Sequence, residues 1–259
     1  MANNGGWNLI GLRTLFMKEV RRFSTVWKQT VLSPLITTSL YFLVFGVALG
    51  SRLQTIDGVP YIEFVIPGLI MLSMITNAFL NTSSSLFQSK INGTLLDVLV
   101  APLGSSEIVL AYVGAAMLRA FIVGSLVYAV AVAFTGVHLA HVGWTLLFAV
   151  AVSASFALLG ILAAMWAEKF DHLSIVPNFV LTPLTFLGGV FYSIDMLPAP
   201  WDTISRLNPI LYMVNGLRYG LLGISDVDVL WSATSLCALL TVLAIVTWYA
   251  VESGYNIRD

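Results

Sequence analysis

Six long apolar runs constrain this sequence more than any other feature, because each is long enough to cross a lipid bilayer as a helix. A membrane-spanning helix needs about 20 predominantly apolar residues. The runs are Thr30–Gly50, Tyr61–Phe87, Ile108–Phe134, Val142–Ala167, Leu173–Tyr192 and Val229–Val251. The chain is 58% hydrophobic and only 10% charged, whereas a soluble domain is about 25% charged. We therefore predict an all-α integral membrane protein with six transmembrane helices.

The basic residues predict that both termini lie in the cytosol. With the N-terminus inside, the inner segments collect eight lysines and arginines, and the outer segments collect three. The inner ones are Arg13, Lys18, Arg21, Arg22, Lys28, Lys90, Lys169 and Arg258, and the outer ones are Arg52, Arg206 and Arg218. Cytoplasmic loops of membrane proteins are enriched in lysine and arginine, so the reverse orientation is disfavoured.

Residues 1–259 are predicted to form a single membrane domain that begins with a helix on the membrane surface. From Leu9 to Trp27, apolar residues recur at steps of three or four, which is typical of an amphipathic interfacial helix. A charged flank before the first span is the alternative. The predicted parts are a cytoplasmic or interfacial helix at 1–29, spans one to five at 30–192, an external segment at 193–228, the sixth span at 229–251 and a cytoplasmic tail at 252–259.

The external segment 193–228 is unusually apolar for a loop and is broken by several prolines. Asn208 and Pro209 have the sequence of a helix start, and Gly223 limits that helix to about Leu222. Such short apolar pieces favour a re-entrant helical hairpin before the last span, with a plain extracellular loop as the alternative. The aromatic residues of this region favour an interface-anchoring belt, although stacking on sugar rings is an open alternative. They are Tyr192, Trp201, Tyr212 and Tyr219.

Between the second and third runs, Gln88–Glu107 is a short, semi-polar break on the predicted cytoplasmic side. Thr94 and Asp97 have the spacing of a helix-capping pair, and Pro102 ends any helix soon after it starts. The resulting helix of about two turns is too short to cross a bilayer. Because so short a helix is poorly stabilised alone, we expect it to lie against its own domain or against a partner protein. Its apolar residues are Leu95, Leu96, Leu99 and Val100.

Arg119 is the one charge that lies clearly within a run, about 18 Å along the helix from Glu107. An arginine at that depth must be paired, hydrated or turned toward the protein interior. A structural role would have it bonded to helix carbonyls or to the side chains of Asn77 and Asn81. A functional role would have it contact an anionic head group of a substrate. The structural interpretation is the more ordinary of the two.

The sequence lacks the signatures of a soluble enzyme and of a nucleic-acid binder. It has no Gly-rich phosphate-binding loop, so any ATP hydrolysis must take place on another subunit. The three histidines and the single Cys237 form no metal-ligand pattern, and a net charge of −1 gives no basic excess for nucleic acid. We therefore predict no catalytic residue, no metal site and no cofactor bound by this chain.

Two other classes of membrane protein remain as alternatives. A secondary transporter or a channel usually carries carboxylates or histidines at mid-membrane. Here the glutamates at Glu63, Glu107, Glu168 and Glu252 lie near the ends of runs. An intramembrane hydrolase would need a nucleophile and a base, and the sequence places no suitable base beside Ser225.

The order of these elements and two stretches of sequence resemble the permease subunit of ABC-2 type transporters. The first stretch is GTLLDVLVAPLGSSEIVLAY at Gly93–Tyr112. The second is PLTFLGGVFYSIDMLP at Pro183–Pro198, followed by LNPILYMVNGLRYG at Leu207–Gly220. The resemblance covers essentially the whole chain, and in detail it is similar to the bacterial inner-membrane permeases of the YadH type.

This resemblance implies a homodimer of permeases in the bacterial inner membrane, in contact with lipids and bound to separate ATPase subunits that hold the ATP and magnesium. It also implies export of an amphipathic, lipid-linked, glycan or drug-like substrate. The short cytoplasmic helix would then be the coupling helix that sits in a groove of the ATPase. Its implied coupling residues are Gly93, Thr94, Leu95, Leu96, Asp97, Leu99, Val100 and Pro102.

Overall fold

The computed structural model describes residues 7–44, 55–56 and 58–256, and this part of the chain is mostly helical. The helices are α1 (Leu9–Thr25), α2 (Trp27–Tyr41), α3 (Tyr61–Ile91), α4 (Thr94–Val100), α5 (Ser105–Thr135), α6 (Val142–Trp166), α7 (Phe170–Ile175), α8 (Thr182–Phe186), α9 (Trp201–Arg206), α10 (Pro209–Leu222) and α11 (Val229–Ser253). Two short antiparallel strands, β1 (Thr55–Ile56) and β2 (Val59–Pro60), precede α3. Arg52, Arg258 and the end of the first apolar run, 45–50, lie outside the described residues.

Four helices in the described ranges are long and apolar enough to cross a membrane: α3, α5, α6 and α11. The predicted all-α membrane class is thereby confirmed. The other two predicted spans correspond to shorter helical stretches. The first is α2, which continues as a π-helical turn to residue 44, and the second runs from α7 through a π-helical segment at Val176–Leu181 into α8. The count of six spans therefore stays a prediction.

Helix α3 is the centre of the bundle, because it packs against α5, α6 and α10. Its closest approach is to α6, where Gly160 leaves room for the α3 backbone. A Cβ atom added at Gly160 would lie 2.1 Å from Thr82 Oγ1 and 2.5 Å from the carbonyl oxygen of Phe79. At the same contact, Thr82 Oγ1 donates a hydrogen bond of 2.8 Å to the carbonyl oxygen of Ala157. Small residues of this kind allow membrane helices to approach closely.

Hydrogen bonds between helix ends define one end of the bundle, which we call the α4 end. Ser105 Oγ at the start of α5 donates to Glu252 Oε2 near the end of α11, at 2.5 Å. Lys90 Nζ near the end of α3 and Asn256 Nδ2 after α11 both donate to the carbonyl oxygen of Met165, at 3.3 and 2.8 Å. Helices α3, α6 and α11 therefore end where α5 begins, as the short loops require.

The opposite end, which we call the α10 end, holds the helix predicted to begin at Asn208 and stop before Gly223. Asn208 Oδ1 accepts a 3.0 Å hydrogen bond from the Ile210 N–H, and Gly223 adopts a left-handed φ of +76°. Both predicted boundaries of α10 are confirmed. The helix packs against α3, α6 and α11 and is mostly buried, so this part of the segment is not a plain loop.

Arg218, which was counted among the outer basic residues, is buried within α10, where its side chain is 0% exposed. Its guanidinium lies 3.5 Å from Asp226 Oδ2, donates to the Gly189 carbonyl oxygen at 2.5 Å, and lies 3.9 Å from the centroid of the Phe64 ring. A buried arginine needs such partners, since an unpaired buried charge is very costly. These contacts hold α10 against Phe64 of α3 and against the segment around Gly189, which lies between α8 and α9.

The α3–α6 contact predicts that Gly160→Ala destabilises the protein, because the new methyl group would press against the Thr82 side chain and against the α3 backbone at Phe79 and Ser83. Overpacking of this kind costs about 1–3 kcal/mol. Thermal unfolding of the purified protein in detergent should show a lower midpoint for Gly160→Ala than for the wild type.

Gly143→Ala is the matched control, since a Cβ at Gly143 meets no heavy atom within 4 Å. An unchanged midpoint for Gly160→Ala, or an equal loss for both variants, would contradict this account of the α3–α6 contact.

Candidate functional site

The short helix α4 has one buried side and one exposed side. Leu95 and Val98 are buried at 4% and 9% exposure, in a cluster with Leu86 and Phe87 of α3. On the other side, Leu96 is 57% and Val100 69% exposed, while Leu99 is partly buried. The predicted apolar residues therefore divide between the chain's own core and the surface, where they form an apolar patch at the α4 end.

The predicted capping role of Thr94 is wrong, although the two-turn helix that it was expected to start is present. Gly93 occupies the cap position with a left-handed φ of +72°, and no side chain caps the helix. Thr94 is already the first helical residue, and its hydroxyl donates to the carbonyl oxygen of Ser89 at 3.4 Å. The helix ends at Val100, before Pro102, as predicted. The left-handed glycine, which L side chains rarely replace without strain, sets the angle between α3 and α4.

Helix α1 begins beside α4 and then packs along α5. Asn8 caps α1, donates through Nδ2 to the Pro102 carbonyl oxygen at 3.0 Å, and donates through its backbone N–H to Glu107. Glu107 also accepts a hydrogen bond of 2.6 Å from the Gly104 N–H at the start of α5. The starts of α1 and α5 are therefore tied to the loop that follows α4.

One carboxylate on α1, Glu19, is completely buried, which the sequence did not predict. Glu19 Oε2 accepts hydrogen bonds from Arg22 Nε at 3.0 Å and from Ser85 Oγ at 2.5 Å. Arg22 Nη2 in turn donates to the carbonyl and side-chain oxygens of Asn81 at 2.9 and 3.0 Å. The only sequence signal was the position of Glu19 midway between Leu15 and Phe23, at four-residue steps on one helix face.

Arg119 joins the same network through the two asparagines that the sequence placed near it. Arg119 Nε donates to Asn77 Oδ1 at 3.2 Å, and Nη1 lies 3.4 Å from Asn81 Oδ1. Asn81 Oδ1 thus lies between Arg22 of α1 and Arg119 of α5. The contact with both asparagines, one of those named for a structural role of Arg119, is present and links three helices at one depth of the bundle.

This network borders an open groove of about 660 Å³ between α2 and α3. Helix α2 contributes Pro34 and side chains that carry hydroxyl groups. Helix α3 contributes both polar and apolar side chains between Leu69 and Gln88. The groove is lined by Arg22, Val26, Thr30, Ser33, Pro34, Thr37, Thr38, Tyr41, Leu69, Leu72, Ser73, Thr76, Asn77, Leu80, Ser84, Gln88, Arg119 and Phe170. Asn77 and Arg119 therefore share a cavity that the sequence could not reveal.

The predicted aromatic residues of the α10 end lie in different surroundings. Tyr219 stacks on His141 with ring centroids 4.8 Å apart and meets Trp144 edge-on at 6.2 Å. The Tyr212 hydroxyl donates to the Arg206 carbonyl oxygen at 2.7 Å. Trp201 is half exposed and Tyr192 partly buried. Tyr219 and Tyr212 thus hold α10 to neighbouring segments rather than present a shared stacking surface.

Comparison with known protein families decides the class of protein. A family model described as ABC-2 type transporter matches residues 11–222 of this chain. The chain belongs to the ABC-2 type transporter family. The match covers α1 through α10, so it includes α4, the groove and the buried helix of the α10 end.

Individual relatives of this ABC-2 protein are named as membrane permeases or nodulation proteins. It is 41% identical over 250 residues to the inner membrane transport permease YadH of Escherichia coli strain K12, covering 96% of this chain and 98% of YadH. It is 28% identical over 233 residues to nodulation protein J of Rhizobium leguminosarum bv. trifolii, covering 86% and 87% of the two chains. The same-named protein of Rhizobium meliloti strain 1021 is 26% identical over 250 residues. The resemblance to ABC-2 permeases of the YadH type is confirmed.

The ABC-2 family and these relatives together identify a membrane-embedded transporter subunit. In the described ranges, no group of three His, Cys, Asp or Glu residues is placed to hold a metal ion. Two features of the site fit a transport role, namely the exposed side of α4 and the polar groove beside Arg119.

The network predicts that Glu19→Ala destabilises the α1 contact, because Ser85 loses its acceptor and Arg22 loses its counter-ion. Breaking a buried charge pair from one side costs about 3–5 kcal/mol, and the partial exposure of Arg22 should bring the loss below that range. Thermal unfolding in detergent should show a clearly lower midpoint for Glu19→Ala. Arg21→Ala, which removes an exposed positive charge from the same helix, should leave the midpoint almost unchanged. Equal midpoints for the two variants would contradict a structural role for Glu19.

Proposed function

We propose that this chain is the transmembrane subunit of an ATP-driven exporter, moved by a separate ATPase that binds α4. The observation that carries the proposal is the exposed aliphatic patch of Leu96 and Val100 on a two-turn helix at the end of the long α3. Burying a large aliphatic side chain is worth about 1.5–3 kcal/mol. Ile91, the last residue of α3, is also an exposed aliphatic residue, at 63%.

Helix α4 is suited to transmit a push because it is joined stiffly to the rest of the bundle. Only Asn92 and Gly93 separate it from α3, and its buried side packs in the same cluster as Leu86 and Phe87. Displacement of α4 would therefore displace the end of α3. Because α3 also carries Asn77 and Asn81, the same displacement would reach the groove.

The α4 end is the cytoplasmic end in this proposal. Basic residues of α1, together with Lys90 and Lys169, supply the positive charge expected on the cytoplasmic side. Helices α3 and α5 have 31 residues each, or about 46 Å, which exceeds the hydrocarbon thickness of about 30 Å, so they project from the bilayer. Helix α1 packs along the α4 end of α5, where the projecting part would lie. The α10 segment would then be the external re-entrant hairpin, and both termini would be cytoplasmic.

The complete transporter in this proposal is a permease dimer in the bacterial inner membrane with two ATPase subunits, which hold ATP and magnesium. The cargo class is amphipathic, lipid-linked, glycan or drug-like. The relative YadH is named as an inner membrane transport permease, which supports a transport role without naming a cargo.

A proton-coupled transporter without an ATPase is the competing function, and buried Glu19 is the observation that could favour it. Its carboxylate is already bonded to Arg22 and Ser85, as expected for a structural counter-ion. The exposed apolar side of α4 also has no role in that alternative. The ATP-driven exporter is therefore the better supported function.

Leu96→Asp is expected to weaken binding of the ATPase subunit at least about tenfold, because a carboxylate would be buried in an apolar contact. Co-purification of the permease with its ATPase, and ATP hydrolysis by the reconstituted pair, measure the effect. Val142→Asp is a matched control, since Val142 is an equally exposed aliphatic residue at the α10 end. Unchanged association of Leu96→Asp would remove the main support for this function.

Leu95→Asp should behave differently from Leu96→Asp, because Leu95 is buried against α3. We expect it to lower the thermal stability of the permease itself, whereas Leu96→Asp leaves that stability near the wild-type value. Identical stability losses for the two variants would show that α4 has no free side.

The orientation predicts opposite labelling of cysteines placed at the two ends. In a Cys237→Ala background, Thr94→Cys should react with a membrane-impermeant maleimide only after cells are opened, and Thr203→Cys should react in cells with a permeabilised outer membrane. The reverse pattern would place α4 outside and exclude a cytoplasmic ATPase contact there.

A further inference from the structure

Within the part of the chain that the structure describes, Arg119 in the groove makes its hydrogen bonds to neutral partners. Its two described hydrogen-bond acceptors are amide oxygens of Asn77 and Asn81. The other cation of the groove, Arg22, is bonded to the buried carboxylate of Glu19. Among the described residues that line the groove, none is acidic. The groove therefore carries about one uncompensated positive charge, at Arg119.

The depth of Arg119 matches the boundary between hydrocarbon and head groups. Helix α5 exceeds the hydrocarbon thickness by about 16 Å, and Arg119 lies about 21 Å along α5 from Ser105. When the excess length projects at the α4 end, Arg119 lies about 5 Å inside the hydrocarbon boundary. An arginine side chain near that boundary can reach a phosphate or carboxylate in the head-group layer.

The lining of the groove changes in character along α3. From Leu69 to Gln88 it extends over 19 residues, or about 28 Å. On α3, the part near Arg119 and the α4 end offers Ser84 and Gln88, whereas Leu69 and Leu72 lie at the other end. Helix α2 adds hydroxyl groups from Thr30 to Tyr41, so the groove combines a cation, hydroxyl groups and aliphatic side chains. An anionic head with a hydrocarbon chain can use both the cation and the leucines of this lining.

We propose that the groove between α2 and α3 binds an anionic amphiphile, with the phosphate or carboxylate of its head at Arg119 and its chain along Leu72 and Leu69. Where the bound molecule is cargo, this inference rests on the proposed transport function and narrows its substrate class. Asn77 and Asn81 then orient the guanidinium toward the groove and leave its charge uncompensated. The anionic head would supply the counter-ion that the described protein residues do not.

The direct test uses photoreactive phosphatidylglycerol and the matching photoreactive phosphatidylcholine. The permease with its ATPase is placed in phosphatidylcholine nanodiscs, labelled without ATP, and mapped by peptide mass spectrometry. Peptides from 26–41 and 69–88 should be labelled about tenfold more by the anionic lipid, as one charge-assisted contact would give. Equal labelling by the two lipids would overturn the proposal.

Three variants separate an anion site from a purely structural role of Arg119. Arg119→Gln should remove the preference for the anionic lipid, and Arg119→Lys should keep most of it. Arg206→Gln, the control, removes a half-exposed positive charge at the α10 end and should have no effect.

Asn77→Asp is the sharpest variant, because it places a carboxylate 3.2 Å from Arg119 with almost no change in volume. It supplies the missing counter-ion, so it should abolish the preference for the anionic lipid while thermal stability is kept or raised. Should Arg119→Gln fail to fold, Asn77→Asp still decides the matter. If the Asn77→Asp variant still prefers the anionic lipid over phosphatidylcholine, Arg119 does not bind the anion.

Two further measurements distinguish a cargo lipid from a resident lipid, and distinguish failure of the anion site from failure of ATPase coupling. ATP-dependent transfer of chain-labelled phosphatidylglycerol between leaflets of reconstituted vesicles would identify an anionic membrane lipid as cargo. Labelling without transfer would identify a resident lipid, and the anion site would stand. If Leu96→Asp binds the ATPase as the wild type does, ATPase coupling through α4 is refuted. The anion site would not be affected by that result, because the labelling uses no ATP.

Discussion

A charged or polar side chain removed from water needs a partner within the protein, and this constraint joins the separate helices into one unit. At the α4 end, buried Glu19 holds Arg22 of α1, and Arg22 holds Asn81 of α3. At the α10 end, Arg218 and Asp226 meet the same requirement between α10 and the loop that follows it. The long apolar helices supply bulk packing, and these polar contacts fix which faces meet.

Helix α3 is the element that connects the two ends of the molecule. It contacts α10 at one end, carries Asn77 and Asn81 beside the groove, and continues through Gly93 into α4. Its contact with α6 at Gly160 leaves little free space, so the pair should move as a rigid body. In the proposed exporter, this rigid pair would carry a displacement of α4 to the groove.

Much of the fold followed from the sequence, because apolar length, prolines and glycines act locally. The ends of α10 at Asn208 and Gly223, the two-turn α4 and the contact of Arg119 with the asparagines were all predicted. The burial of Glu19 and Arg218 was not, since a charge that is neutralised by a distant partner looks like a surface charge in a linear sequence. The cap of α4 was assigned to Thr94 because its spacing with Asp97 was right, whereas the turn required the left-handed backbone that only Gly93 adopts easily. The groove depends on the position of α2 relative to α3. The spacing of apolar residues along the sequence does not predict that position.

The junction between α1 and α2 consists of a single residue, Val26, with φ −103° and ψ 29°. Glu19 and Arg22 bind α1 to α3, while α2 forms the facing wall of the groove. The backbone at Val26 and the packing of α2 against α5 therefore together set where α2 lies relative to α3. With one residue between the helices, a change in the backbone angles at Val26 would tilt α2 and alter the width of the groove.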